Sequence, residues 1–545
     1  MKKSKTLLVV TQSLAMLMAA GGLSSCGAHV TSPIDLTVDT RGQTISIWTG
    51  FGASISSSLE SLLSTFEDLT GIHVVHESKG GYDNLQKAIN GSASSQTYAN
   101  VAVGYPDHFA GYIDSDIIHR LDEFIEQDSL IPATRTGSVT DPNDESATFE
   151  ELPQLDLDDF YSYYMTELQT LEYKEDGTGY LLGLPFNKST EVMVYNKSFF
   201  DLDSVKTAGI ALPTTWDEVG TQTTKILDYV KGLRVTNASS QSVSIFGNGI
   251  LASDDNLYFK EIPEALVNPT DEETEPVYAV LDLTKVSEND FHPFSYDSQA
   301  NFFITGMRQY GGTYTEVDKD TRQGYIKFNE GTAAREFLTE MNGIYAKGGM
   351  GIPQTWGEAS YCSTPFKAYK SVMNIGSSGG VSNSLAASFK AEVSCAPIPY
   401  KNANRKYVIS QGTNLGIFDV GSTAQKAAAW KLVKYLSQFA NGTFAAMTGY
   451  FPTCKSASLS RDYQNMLNNP KGNEEKLKAA AARINLDVFD NAEEKWMKFV
   501  DPGFVGSSTI RTDVDTITAE IFIDKKGVQD TINEHVENLR DYLPA

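Results

Sequence analysis

Gly376-Ser377-Ser378-Gly379-Gly380 matches G-x-S-x-G, and a strand-like run before it supplies the strand–turn–helix setting of a nucleophile elbow. In that chemistry Ser378 would attack an ester carbonyl, with an acid and then a histidine following along the chain. His535 is the only histidine beyond position 380, and it sits in a polar C-terminal helix pattern without local glycines. Ser-Gly turns also arise for geometric reasons, because glycine accepts positive φ without steric cost. Hydroxyls and free amides at a helix start suit the binding of a polar or anionic group at least as well. A secreted serine esterase built on Ser378 is therefore the alternative to a binding protein, and it requires turnover that Ser378→Ala abolishes.

Other chemistry-bearing residues are more isolated. Arg511 falls in the first turn of a helix pattern, where its guanidinium could hold a phosphate or carboxylate in bidentate fashion. A surface ion pair with Asp513 or Asp515 is the plainer reading. Tyr82 and Tyr450 each follow a glycine in a loop, where an aromatic face can stack on a sugar ring or simply pack. His73 and His76 form H-x-x-H on a strand pattern, so they point to opposite faces and lack a third ligand. No metal site is expected there, and no cofactor. Cys362, Cys395 and Cys454 allow at most one disulfide and show no C-x-x-C spacing; they read as buried or free thiols.

The elements that would position these groups follow the pattern of an α/β protein. Thr44–Trp48 alternates as a strand. Ile55, Leu59, Leu62, Leu63, Phe66 and Leu69 recur at helical spacing, with Gly71 at a C-cap. A second strand spans Ile72–Val75, a helix Asp83–Asn90, and a third strand Asn100–Val103 ends in Gly104-Tyr105-Pro106-Asp107. This alternation implies an open, largely parallel sheet with ligand sites at its strand ends. Leu184–Lys197 places polar Asn187, Lys188, Ser189 and Thr190 between Pro185 and the β-branched, aromatic run Val192–Tyr195. Such a polar step is costly in a sealed core and natural where a strand passes from one lobe to another beside a wet cleft. Thr215 and the acidic residues after Trp216 announce a helix to about Lys231. Further helix patterns cover Glu336–Ala346, Ala427–Phe439 and the stretch opened by Gly506-Ser507-Ser508, which carries Ile510, Val514, Ile517 and Ile521 on one face. Strands Ser371–Ile375 and Tyr407–Ser410 lead into glycine-containing loops.

The chain has 545 residues, 44 basic against 69 acidic, for a formal charge of −25. That balance argues against nucleic-acid or anionic-membrane surfaces. Lys2, Lys3 and Lys5 precede the apolar stretch Leu7–Ala20, which is too short to span a bilayer and reads as a signal peptide. It ends in Leu23-Ser24-Ser25-Cys26-Gly27, similar to the lipobox of bacterial lipoproteins, which predicts lipidation at Cys26 and exposure on the extracytoplasmic side of the cell membrane. Thr134–Asp159 and Val235–Val286 read as insertions.

Taken in order, the chain resembles the family 1 extracellular solute-binding proteins of ABC importers, and among them the glycerol-3-phosphate-binding proteins. The likeness rests on Gly80-Gly81-Tyr82, Leu184–Thr190 with Val194–Lys197, Pro213–Trp216, Gly376–Gly379, Gln411–Asn414, Thr448–Pro452 and Ile510-Arg511. It implies a two-lobed, periplasmic-binding-protein-like α/β fold of type II, with a ligand cleft between lobes joined by crossing segments. One lobe would comprise 44–186 and 400–446, the other 187–399 and 447–545, after a signal peptide at 1–25 and a tether at 26–43. It further implies a monomeric receptor that delivers a sugar, oligosaccharide or glycerol phosphate to permease subunits. Ser377, Gly412, Tyr450 and Arg511 would surround a phosphate, Ser378 would bind the ligand beside Ser377, Ser189 would face the ligand, and Tyr82 would lie near its glycerol end. Asp107 stands where that subgroup has a glutamate, and Phe294 and Tyr296 where it has cleft tryptophans.

Overall fold

The computed structural model describes residues 32–131, 139–141, 144–149, 152–249, 258–259, 278–386, 389 and 391–543. Cys26 and the leader lie outside them, as do parts of both insertions.

The first lobe begins with strand β1 (Thr44–Thr49), helix α1 (Ala53–Thr70), β2 (His73–Ser78), α2 (Tyr82–Ser92), β3 (Val101–Gly104) and α3 (Pro106–Asp114). β1 pairs in parallel with both β2 and β3. Gly71 closes α1 at φ 69°, its N–H donating to the Glu67 carbonyl, as a left-handed C-cap requires. The periodic residues Leu59, Leu62, Leu63 and Phe66 are buried against Ile45, Ile47, Val101 and Val103. Helix α4 (Ser162–Gln169) packs on this lobe ahead of the strand that leaves it.

That strand, β4 (Leu184–Asn196), is the axis of the molecule. Its first half pairs with β9 (Tyr407–Ile417), from Leu184 opposite Leu415 to Thr190 opposite Ser410. At Glu191 it changes partners and runs antiparallel to β7 (Met373–Ser377), while β8 (Val393–Ala396) lines its other edge. β9 makes the return crossing. Tyr407–Ile409 pair with β10 (Met497–Phe499), and Asn414–Ile417 pair with β3. With β5 (Phe294–Tyr296) and β6 (Met350–Gly351), the ten-stranded order is β6-β5-β7-β4-β9-β3-β1-β2, β8 and β10 joining off the path.

Two separate hydrophobic cores sit on either side of this crossing. Leu184, Phe186, Leu415 and Ile417 belong to the first, with Trp430 of α7 (Thr423–Lys434) and Phe444 of α8 (Asn441–Thr448). Val192, Met193, Val194, Val408 and Ile409 belong to the second. There they meet Trp216 of α5 (Trp216–Gly232), Phe302 of α6 (Gln299–Gln309) and the apolar face of α11 (Ser507–Phe522). Each fully buried aromatic or branched side chain contributes about 1.5–3 kcal/mol, and the polar stretches Asn187–Thr190 of β4 and Ser410–Asn414 of β9 lie between the two cores. The Thr215–Glu218 capping box fixes the start of α5. After α8 the chain passes Tyr450 and Cys454, still in the first core, then α9 (Arg461–Asn468) and α10 (Gly472–Arg483), which delivers Leu477 to the second. α12 (Val528–Leu539) closes the fold against α11.

One expectation changes here. Gln411-Gly412-Thr413-Asn414 is not a loop after a strand; β9 runs through it with a register shift between Gly412 and Asn414. Gly412 holds φ +95°, and a Cβ there would lie 2.0 Å from the Asn187 carbonyl oxygen. Only glycine lets the two crossing backbones approach so closely.

Candidate functional site

A cavity of about 600 Å³ lies between the two cores, roofed by loops at strand ends and floored by the crossing strands. Tyr82, Asp107, Ser189, Ser377, Gly412, Tyr450 and Arg511 all line it. They come from α2, α3, β4, β7, β9, the turn after α8, and α11, so seven residues spread over more than four hundred positions meet in one space.

Tyr296 and Ser378 do not line it. Tyr296 is 1% exposed, and its hydroxyl donates to Glu191 Oε2 at 2.6 Å. Phe294, two residues earlier on the same strand, is likewise in the second core. Ser378 is fully buried and accepts a hydrogen bond from the Thr190 N–H at 3.3 Å. Its hydroxyl holds the crossing strand and has no open side toward a substrate. His535, the only histidine after it, is held by Asp513 and Glu520 through its two ring nitrogens. The nucleophile-elbow arrangement is absent from these residues.

Ser377, by contrast, ends β7 and donates to Ser189 Oγ at 3.3 Å, joining the two strands where they meet the cavity. Tyr450 is stacked on Phe444 at 6.0 Å, and its ring occupies the space a Cβ on Gly379 would need. Tyr82 packs edge-on to Tyr105 at 4.9 Å, and its hydroxyl accepts from Asn187 Nδ2 at 3.2 Å. Burial holds the hydroxyls of Tyr82, Tyr105 and Tyr450 above the usual phenol range, so all three are donors at neutral pH. Tyr361, 67% exposed, stands at the rim.

The polar run of β4 is satisfied internally. Asn187 bonds Thr413, the Thr190 hydroxyl donates to the Ile409 carbonyl at 2.7 Å, and Lys188 forms a fully buried ion pair with Glu167. Of this run, only Ser189 reaches the cavity.

Arg511 has close company. Its Nη1 donates to Asp501 Oδ2 at 3.0 Å, and its Nη2 to Asn301 Oδ1. Asp501 is pushed up to about 7 because burial outweighs the adjacent guanidinium, and Asp107 adds to the rise. Glu191 is raised by burial to about 7 and Asp297 to about 6. These three carboxylates line the cavity and were not singled out from the sequence. Signals for two of them existed. Glu191 is the one acid inside the apolar half of β4, and Asp297 stands at the end of a parallel strand, where ligand sites of open sheets gather. Asp501 precedes Pro502-Gly503 in a loop and becomes meaningful only beside Arg511.

Cys362, Cys395 and Cys454 are free and buried. Among the described residues no His, Cys, Asp and Glu group could hold a metal ion, and no helix is long and apolar enough to cross a membrane.

Solved structures share this architecture. UgpB from Mycobacterium tuberculosis in complex with glycerophosphocholine matches with TM-score 0.62 at 15% identity, over 92% of this chain and 98% of that one. Lmo0181 from Listeria monocytogenes in complex with cycloalternan matches with TM-score 0.59 at 13% identity, over 92% and 98%. The maltose-binding MalE domain from Bdellovibrio bacteriovorus bound to maltotriose matches with TM-score 0.57 at 15% identity, over 91% and 99%. At these identities the likeness establishes the fold. No curated protein matches the chain in sequence. A family model, bacterial extracellular solute-binding protein, matches residues 61–471, three quarters of the sequence. That match covers both crossing strands and parts of both cores, and the chain belongs to the bacterial extracellular solute-binding protein family.

Proposed function

We propose that this protein is the lipid-anchored solute receptor of an ABC importer. It captures a polyhydroxylated solute between its two lobes by hinge closure, then presents it to the permease. The observation that carries this reading is the cavity itself: about 600 Å³, lined from both lobes by tyrosines, hydroxyls, amides and carboxylates, with two single strands crossing at its base. Satisfied hydrogen bonds along β4 keep the crossing ordered while the cores on either side stay independent. A ligand touching both lobes favours the closed arrangement by its differential affinity for it. The extracytoplasmic site and the anchor at Cys26 rest on the sequence of the leader.

The ligand contacts are Tyr82, Asp107, Ser189, Ser377, Gly412, Tyr450 and Arg511. The related structures in complex with glycerophosphocholine, cycloalternan and maltotriose point to sugars and glycerol derivatives as the class to test. A glycerol-3-phosphate-like ligand would need Arg511 to exchange Asp501 for phosphate, so a sugar is the better fit.

Thermal denaturation and small-angle scattering against maltotriose, cycloalternan, ribitol and glycerol 3-phosphate test the reading. A ligand at 100 times its Kd stabilises by about 2.7 kcal/mol and should reduce the radius of gyration. Stabilisation without compaction would refute hinge closure. Ester turnover abolished by Ser378→Ala would replace the receptor with an enzyme. Cys26→Ala should release the protein from the membrane fraction.

A further inference from the structure

Charge around the cavity is one-sided. Seven carboxylates line it, from Asp83, Asp107, Glu167, Glu191, Asp297, Glu474 and Asp501, against two cations, Lys478 and Arg511. Both cations are spent: Lys478 Nζ lies 2.7 Å from Glu474, and Arg511 lies 3.0 Å from Asp501. Glu167 is neutralised by Lys188 from beneath. Among the described residues, Asp83, Asp107 and Asp297 have no Lys or Arg within 4 Å, and Asp107 has only the His108 ring, 3.9 Å away through Nε2.

The hydrogen-bonding capacity is biased the same way. Four buried atoms of cavity-lining residues have no partner in the protein: Asp501 Oδ1 and Gln411 Oε1, which accept, and His108 Nδ1 and Ser382 Oγ, which can donate or accept. Buried acceptors without donors are costly, and a ligand that donates to them removes that cost. The aromatic lining adds to the bias. Tyr82, Tyr105, Tyr361 and Tyr450 all border the cavity, and ring faces attract cations as carboxylates do.

We infer that the ligand is a polyhydroxylated compound carrying a cationic nitrogen, held by Asp107 and Asp297 among the cavity's tyrosines. This rests on the solute-receptor reading and narrows it to a charge class. An anionic ligand meets uncompensated carboxylates and gains no free cation. A neutral one leaves the surplus charge unanswered.

Matched probes separate these cases. A trisaccharide of glucosamine is titrated against its fully N-acetylated counterpart, which has the same backbone and no charge, with glycerol 3-phosphate as the anionic arm. The glucosamine form is expected to bind at least about tenfold more tightly, and its affinity is expected to fall as salt is raised. Asp107→Asn and Asp297→Asn, whose side chains stay the same size, are each expected to cost the glucosamine probe about tenfold more than they cost the acetylated probe. Equal affinity for the two trisaccharides, or equal losses in the variants, overturns the inference. Absence of binding by the glucosamine probe overturns it too. Binding and compaction with the acetylated probe alone would then leave the receptor reading standing, whereas no compaction with any solute would remove both.

Discussion

The Lys188–Glu167 pair beneath the crossing strands and the Arg511–Asp501 pair in the cavity wall are made of similar groups in different settings. Lys188 is fully buried, and Glu167 accepts from it through Oε2 and from the Ser410 hydroxyl through Oε1 at 3.2 Å. Lys188 also reaches the Gly412 carbonyl at 3.4 Å. Every strong acceptor there is used. In the cavity wall Asp501 accepts from Arg511 with one oxygen and leaves the other buried and unpartnered. Its side chain is 19% exposed, open enough to take up a proton or a ligand donor. A closed polar network holds a backbone crossing in place, and an open one makes a binding surface.

The contrast is broken most directly by removing each cation. Lys188→Met leaves the buried Glu167 carboxylate without its cation and is expected to cost about 3–5 kcal/mol, whereas Lys188→Met with Glu167→Leu restores most of it. Arg511→Met is expected to cost less, about 1–2 kcal/mol, because Asp501 can protonate or hydrate. Chemical denaturation of the four proteins checks both halves. Equal losses for the two single variants would erase the distinction.

The division between what the sequence reveals and what it hides follows the same line. The crossing was readable in Leu184–Lys197, because a polar step flanked by Pro185 and a β-branched run has few other homes. Its function was less readable: most of those polar residues face each other and not a ligand. Helix starts such as Thr215 and Gly71's C-cap are local chemistry and came through intact. Ser377 and Ser378 show the limit. Adjacent residues at a strand end point to opposite sides, and only the sheet decides which one faces the cavity. Tyr296 was placed in the cleft by the resemblance alone; it lies in the second core, and a three-residue strand has no phase that would have shown it. Asp501 and Arg511 are ten positions apart, and their pairing is tertiary.

Glu191 extends the comparison to pH. Its carboxyl is raised to about 7 from an ordinary value near 4.5, chiefly by burial. The unfolded chain then binds fewer protons than the native one between those values, so stability is full below about pH 4.5 and falls as pH rises toward 7. Glu191→Gln keeps an acceptor for the Tyr296 hydroxyl and removes the titration. It is expected to flatten this slope and to stabilise the ligand-free protein by up to about 3 kcal/mol above pH 7. Melting temperatures at pH 5 and pH 8 decide it; an unchanged slope would show that Glu191 is not the group responsible.

Gly412→Ala tests the closed network through its backbone. The added Cβ meets the Asn187 carbonyl oxygen at 2.0 Å at a φ of +95°. A loss of about 2 kcal/mol or more is expected, with ligand affinity falling as well, because the bulge sets the spacing of both strands at the cavity floor. Alanine at Gly111, where a Cβ would meet nothing within 4 Å, serves as the control.

The smallest effect is expected at a third carboxylate group, far from the crossing, where α12 docks on α11. His535 Nδ1 lies 2.6 Å from Asp513 and its Nε2 lies 3.1 Å from Glu520, so the ring bridges two acids. Burial alone would lower its pKa, but the two carboxylates prevail and hold it above the usual imidazole value. A raised native pKa contributes stability that is complete below the unfolded value of about 6.5 and disappears as pH climbs through the native one. The acids are partly exposed, at 26% and 25%, and solvent screens them, so His535→Gln should cost under about 1 kcal/mol at pH 6 and almost nothing at pH 9. This slope has the same sign as that of Glu191 and begins at higher pH. The double variant separates them: with Glu191→Gln in place, adding His535→Gln should remove part of the remaining fall in stability across pH 6–8, and the rest belongs to Asp501 and Asp297, the other raised carboxylates of the open network. An unchanged fall on adding His535→Gln would show that the bridged imidazole contributes nothing to it.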